Sequence, residues 1–293
     1  MTEEGFGVGQ IYGFVFVLIF ASLVLYLAKR KGFFRLPPKS KRPPLHWGHL
    51  VASFGSYLFF AIFIVPIISF AIGFLVTSSL EDAGRWVANT RGWISCISLV
   101  VIFLWFFVYS FWWQRKKLSF LFWPDKKPSA ALFFKNCGMG AVGWLVSYPT
   151  VLVVGMLASF LSYLLFGSTG VEQVAVKQLE QALEIPALFA CMTVAVIIFV
   201  PFVEEFLFRG LLQTWFKRHM PRGWAIGVSS FIFAGVHFSV QQKTGNFELL
   251  LSLFALSCFI GFLYERQRTL WASIAFHGIF NGLSTLMLVL SQA

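Results

Sequence analysis

Long apolar runs, broken by short polar and basic stretches, set the pattern of this chain. They lie near residues 10–28, 49–79, 93–114, 137–167, 186–216, 223–241, 247–264 and 269–290. A bilayer core takes about 20 apolar residues of helix, so the pattern predicts eight membrane-spanning helices and an all-α polytopic fold. Three runs exceed that length, which predicts tilt, kinks or interfacial extensions there. Pro66, Pro149 and Pro201 lie inside the long runs and can kink them. No internal repeat and no soluble domain interrupts the pattern.

Composition agrees. Of 293 residues, 58% are hydrophobic and 12% charged, against about one half and one quarter in globular chains. This excludes a water-soluble enzyme, a disordered chain and a nucleic-acid-binding domain. The net charge of +11 would suggest nucleic acid in a soluble protein. In a membrane chain its distribution matters more. The first run is flanked by Glu3 and Glu4 before it and by Lys29, Arg30 and Lys31 after it. That order marks a signal-anchor with its N-terminus outside. Alternation then makes 29–48, 115–136, 217–222 and 265–268 the inner segments. They hold 18 of the 23 Lys/Arg, and the outer segments hold only Arg85, Arg91, Lys177 and Lys243. The expectation is an integral protein of a bacterial plasma membrane with both termini outside. The basic cluster at 29–42 can also meet anionic lipid.

Nine of the eleven tryptophans fall in loops or near span ends, as an aromatic belt requires. Segment 118–134 mixes aromatics with Lys126 and Lys127 and reads as an interfacial strip on the inner leaflet. Cys96, Cys137, Cys191 and Cys258 lie in apolar stretches without a CxxC pair, so packing roles are expected for all four.

Ionisable groups inside spans are costly and mark functional sites. The last third carries five: Glu204, Glu205, Arg209, His237 and His277, with Asn281 as an additional amide. Glu205 and Arg209 are four apart and share a helix face, so they can pair. Glu204 points about 100° away from that pair. His277 and Asn281 also share a face. Counted from the inner span ends, Glu204, His237, His277 and Asn281 lie at depths of roughly 14–20 Å. Three separate spans thus bring polar groups to one level near mid-membrane. The competing structural readings are an interhelical staple for Glu205–Arg209 and a packing hydrogen bond for a lone histidine. His46, His49 and His219 sit at interfaces and read as surface residues.

The chain reads Glu204-Glu205-Phe-Leu-Phe-Arg209 (EExxxR), Phe233-Ala-Gly-Val-His237 (FxxxH) and His277-Gly-Ile-Phe-Asn281 (HxxxN). In this order, on successive apolar segments, the three motifs resemble the CPBP family of intramembrane proteases. That family includes type II CAAX prenyl proteases and Abi proteins linked to bacteriocin immunity. The resemblance covers about residues 186–290. It implies a catalytic core over 186–293, a variable region of about four spans over 1–185, and an active-site cavity between helices. By position, Glu204 and His237 would activate a water, while His277 and Asn281 would stabilise the oxyanion. Glu205 and Arg209 would hold the first motif in shape.

The chemistry is sensible from below. A carboxylate beside a bound water can serve as general base. Donors aimed at developing negative charge act strongly where water is scarce. Glu204, His237 and His277 could alternatively bind zinc and make a metalloprotease, although HExxH is absent; no obligatory cofactor is expected. The expected partners are a peptide or membrane-protein substrate, prenylated or otherwise membrane-tethered, and the bilayer itself. Two rivals remain at this stage. One is a non-enzymatic scaffold or immunity-type peptide binder. The other is an ion-coupled transporter, disfavoured because the polar set occupies one half without a repeat.

Overall fold

A computed structural model describes residues 7–38, 45–68, 70–71, 83–123, 127–167 and 174–292. Every regular element among the described residues is helical. Among the described residues, seven helices are long and apolar enough to cross a membrane: α1 (Val8–Arg30), α2 (Trp47–Ile68), α3 (spanning part Gly92–Trp113), α4 (Ala130–Phe166), α6 (Pro186–Phe216), α8 (Gly245–Gln267) and α9 (Leu270–Gln292). Between them lie two shorter helices, α5 (Val174–Ala182) and α7 (Arg222–Gly235). The protein is an all-α polytopic membrane protein.

The sequence pattern and the fold differ at 223–241. The expected eighth span is α7, with 14 residues. At about 1.5 Å per residue it covers about 21 Å, short of the roughly 30 Å hydrocarbon core. Apolar residues continue past Gly235, but the backbone leaves the helix there. Asn246 secures the departure: its Oδ1 accepts from the Ser239 N–H at 2.9 Å, and its Nδ2 donates to the Ser239 carbonyl at 2.7 Å. His237 therefore sits in the turn beyond the helix end.

Helix α4 packs against α1, α8 and α9. Gly140 permits the closest of these approaches. A Cβ there would lie 2.6 Å from the Ala272 carbonyl oxygen, so any side chain would push α9 away. Outer faces of α1 and α2 expose Phe16, Ile19, Leu23, Ile62, Phe63 and Ile67. In water such a surface would be costly; against lipid tails it is not.

Segment 118–134 does more than lie on a leaflet. Leu118, Leu121 and Phe122 are fully buried in the main apolar core with Phe202 and Phe206. Thr269 Oγ1 donates to the Phe122 carbonyl at 2.8 Å. These large side chains have a protein surface to fill, so the turn folds inward rather than resting on lipid.

Two cysteine assignments are corrected. Cys96 and Cys191 form a disulfide between α3 and α6, within an apolar cluster that includes Leu188 and Met192. Their separation of 95 residues leaves no local spacing signal. Cys137 and Cys258 are free. Glu3, Glu4, Lys39, Lys41, Arg42 and Lys126, used above to orient the chain, lie outside the described residues, as do the side chains of Arg85 and Arg91.

Candidate active site

Helix α6 supplies the two glutamates, and its winding is irregular around them. Residues Ala195–Phe199 and Phe206–Gln213 are π-helical and bracket the α-helical segment Val200–Glu205. Pro201 is one cause. It brings no N–H to the ladder and its ring crowds the carbonyl four residues back. A wider turn before it relieves that contact. Beyond the site, Thr214 Oγ1 donates to the Arg209 carbonyl at 3.1 Å, occupying an acceptor within the second π segment. π-turns of this kind recur at functional sites.

Glu204 and Glu205 leave the helix in different directions, as adjacent residues must. Glu205 is fully buried and forms an ion pair with Arg209, Oε2 to Nε at 3.3 Å. Its other oxygen, Oε1, accepts a hydrogen bond from His277 Nδ1 at 2.9 Å. Glu204 faces the two histidines. Its Oε1 lies 3.9 Å from His237 Nε2, and its Oε2 lies 3.8 Å from His277 Nε2. Both separations exceed a direct hydrogen bond, and a water can bridge such a gap. Side-chain exposure is 17% for Glu204, 31% for His237 and 7% for His277. The cluster is thus enclosed on the His277 side and reachable from the His237 side.

Each histidine is oriented through its other nitrogen. His237 Nδ1–H donates to the Phe233 carbonyl at 2.8 Å, and a carbonyl can only accept. His277 Nδ1–H donates to Glu205. Both rings therefore turn Nε2 toward Glu204. Partners on the second nitrogen fix which tautomer and which direction a histidine offers.

Arg209 is held from a second side. Its Nη2 donates to Ser257 Oγ at 3.0 Å and to the Ser257 carbonyl at 3.3 Å. The guanidinium carbon also lies 4.9 Å from the Phe233 ring centre. Phe233 in turn packs against His237, with ring centres 4.8 Å apart. Below this layer, Gln213 Nε2 donates to the Gly261 carbonyl at 3.0 Å, and Lys217 pairs with Glu265 at 2.6 Å. Sequence reading gave no role to Phe233, Ser257, Gln213, Lys217 or Glu265. A signal was present: 205, 209 and 213 step by four on α6, with 217 next in step just past its end, and 257, 261 and 265 step by four on α8.

Asn281 lies one turn beyond His277 on α9 and is engaged elsewhere. Its Nδ2 donates to the Val196 carbonyl at 2.9 Å. Gly278, one residue after His277, lets α9 approach that stretch of α6; a Cβ there would lie 2.6 Å from the Ile197 carbonyl oxygen. Of the interfacial histidines, His46 accepts from the Gly48 N–H at the start of α2, and His49 Nδ1 lies 3.0 Å from the Tyr109 hydroxyl. Neither joins the site.

Zinc was the alternative activator. Among the described residues, no three His, Cys, Asp or Glu side chains are grouped so as to hold a metal ion, so no step is routed through one. Beside the site is an apolar cavity of about 720 Å³. Its walls include Phe107, Cys137, Ile198, Phe202, Trp271 and Gly278. Gly278 of α9 and Ile197 of α6, which approach each other closely, both line this cavity.

Within a membrane-embedded helical core, Glu204 thus faces two histidines whose rings are held by their other nitrogens. Residues 186–283, about a third of the chain, match the family described as type II CAAX prenyl endopeptidase Rce1-like. That match supports a CAAX-type intramembrane protease in general terms, one that would work on peptide or protein substrates within the bilayer. No curated protein and no solved structure matches the chain.

Proposed function

We propose that the protein hydrolyses a peptide bond of a membrane-tethered, prenylated-type substrate through a water activated by Glu204 and His237. The observation that carries this reading is the pair of 3.8–3.9 Å gaps between Glu204 and the two Nε2 atoms. Glu204 takes a proton from the water as its oxygen bonds to the carbonyl carbon. That proton moves from Glu204 to His237 Nε2, which passes it to the departing amine nitrogen as the C–N bond breaks. Asn281, and His277 from Nε2, donate to the oxyanion. With Nδ1–H already given to Glu205, His277 donates from Nε2 only when both ring nitrogens carry protons. No metal is required in this scheme.

The neighbouring apolar cavity supports an apolar appendage on the substrate. Its volume falls within the roughly 300–1,000 Å³ range of ligand pockets. The test is cleavage by lipid-reconstituted protein of a prenylated peptide and its unprenylated counterpart. The expected result is hydrolysis of both, with kcat/KM at least about tenfold higher for the prenylated one, equal to about 1.4 kcal/mol. Filling the cavity with Cys137→Trp should remove that advantage and leave the unprenylated peptide's turnover unchanged. Equal rates for the two wild-type reactions would refute the prenyl preference. Absence of any hydrolysis would leave the scaffold reading.

Orientation belongs to the same proposal: both termini outside and the basic segments inside, with α7 and the turn after it together returning the chain between α6 and α8, whose ends meet at Lys217–Glu265. It rests on the Lys/Arg split and on the Cys96–Cys191 disulfide, which lies near the ends of α3 and α6 assigned to the outside. Disulfides persist in oxidising compartments. Reporter fusions after Pro44 and Lys127 should read cytoplasmic, and fusions near Asp82 and Lys177 external. Two reversed reporters would overturn the orientation.

A further inference from the structure

We infer that Pro201 is a positioning residue for Asn281, acting through the carbonyl of Val196. The inference rests on the proposed role of Asn281 as an oxyanion donor and adds what aims it.

In an α-helix the Val196 carbonyl would accept from the Val200 N–H. Here the Val200 N–H bonds instead to the Ala195 carbonyl, five residues back. Continuing that π pattern, the next donor to reach Val196 would be residue 201, which is proline and has no N–H. The carbonyl is thus left without its ladder partner at a level where the surroundings are apolar. A buried carbonyl without a partner costs about 1–3 kcal/mol. Asn281 Nδ2 meets it from α9 at 2.9 Å.

An asparagine amide carries two N–H donors on one planar group. Giving one to Val196 fixes the plane and therefore the direction of the other. Gly278, one turn earlier on α9, keeps α9 close enough to Ile197 for this bond to form. The same residue of α6 that breaks the ladder thereby creates the acceptor that orients a side chain on another helix. Pro201 touches no reacting atom in this account.

The test is a double-mutant cycle on the full chain in detergent and in lipid, with Pro201→Ala, Asn281→Ala and their combination. Pro201→Ala supplies an N–H that can satisfy Val196 and release Asn281. Its turnover should fall about 10- to 100-fold with KM changed less than about twofold, because a small misplacement of a donor acts in the transition state. Its thermal stability should not fall, since a helix-interior proline is removed. A merely structural proline would not separate kcat from KM and stability in this way. Asn281→Ala should lower thermal stability in the wild-type background, by orphaning Val196, and markedly less in the Pro201→Ala background.

Equal destabilisation by Asn281→Ala in both backgrounds would overturn the inference. So would unchanged turnover in Pro201→Ala. Asn281→Asp gives a second arm should the alanine variant not fold: its carboxylate cannot donate to Val196, and its stability loss should likewise shrink when Pro201 is replaced. If no variant and no wild-type protein cleaves peptide, the protease reading fails. The stability cycle then still decides whether Asn281 and Pro201 are coupled through Val196.

Discussion

Replacing Glu204 with Gln lowers peptide turnover by about 10²- to 10⁴-fold with little change in substrate binding. The range is that of a general base at a hydrolytic centre. Gln keeps the volume and can still hydrogen-bond in the gap between the histidines, but it cannot take a proton from water. The interaction lost is one made in the transition state, so kcat and kcat/KM fall together. Single-turnover measurements on reconstituted protein give the rate, and a binding assay on the same variant gives the affinity. Prolonged chelation leaves the wild-type rate nearly intact if the base acts without a metal. Loss of the rate on chelation, restored by added Zn²⁺, would show that Glu204 and the histidines act through a metal after all. In that case His237→Ala and His277→Ala should both lose bound metal.

Arg209→Ala should be the most destabilising single change at the site, by about 3–5 kcal/mol. Glu205 and Arg209 are both fully buried. Removing the guanidinium leaves a carboxylate in an apolar interior with only the His277 contact. It also removes both hydrogen bonds to Ser257 and the packing on the Phe233 ring. His277→Ala, by contrast, leaves the Glu205–Arg209 pair intact and should cost less. Thermal unfolding in a single detergent orders the two variants. Equal losses would show that Arg209 does not carry the structural role that its buried partners suggest.

The consequence for activity follows from the same geometry. Arg209 holds Glu205, Glu205 accepts Nδ1–H of His277, and His277 then turns Nε2 toward Glu204. A staple between two residues of one helix is therefore connected to the orientation of a side chain on another. The four-residue spacing of Glu205 and Arg209 made the pairing legible. Nothing in the spacing indicated the third member, because His277 is 72 residues further on.

Local periodicity and chemistry by themselves determined the helical membrane class. A helix of about 20 apolar residues satisfies its own backbone, so length and hydropathy suffice to place it in a bilayer. They also singled out Glu204, Glu205, Arg209, His237, His277 and Asn281, since an ionisable or amide side chain inside an apolar run is conspicuous wherever the run goes. Tertiary structure decided what those residues touch. Hydropathy could not see that α7 stops at Gly235, because the turn holding His237 is secured by Asn246 from the following helix. Nor could it see that Cys96 meets Cys191, or that the carbonyl freed near Pro201 is claimed by Asn281. These contacts join residues far apart in the chain. Whether they form depends on how closely α4, α6 and α9 approach, and that is set by packing at positions such as Gly140 and Gly278. A periodic pattern records which face of a helix is apolar; it does not record which neighbour that face meets.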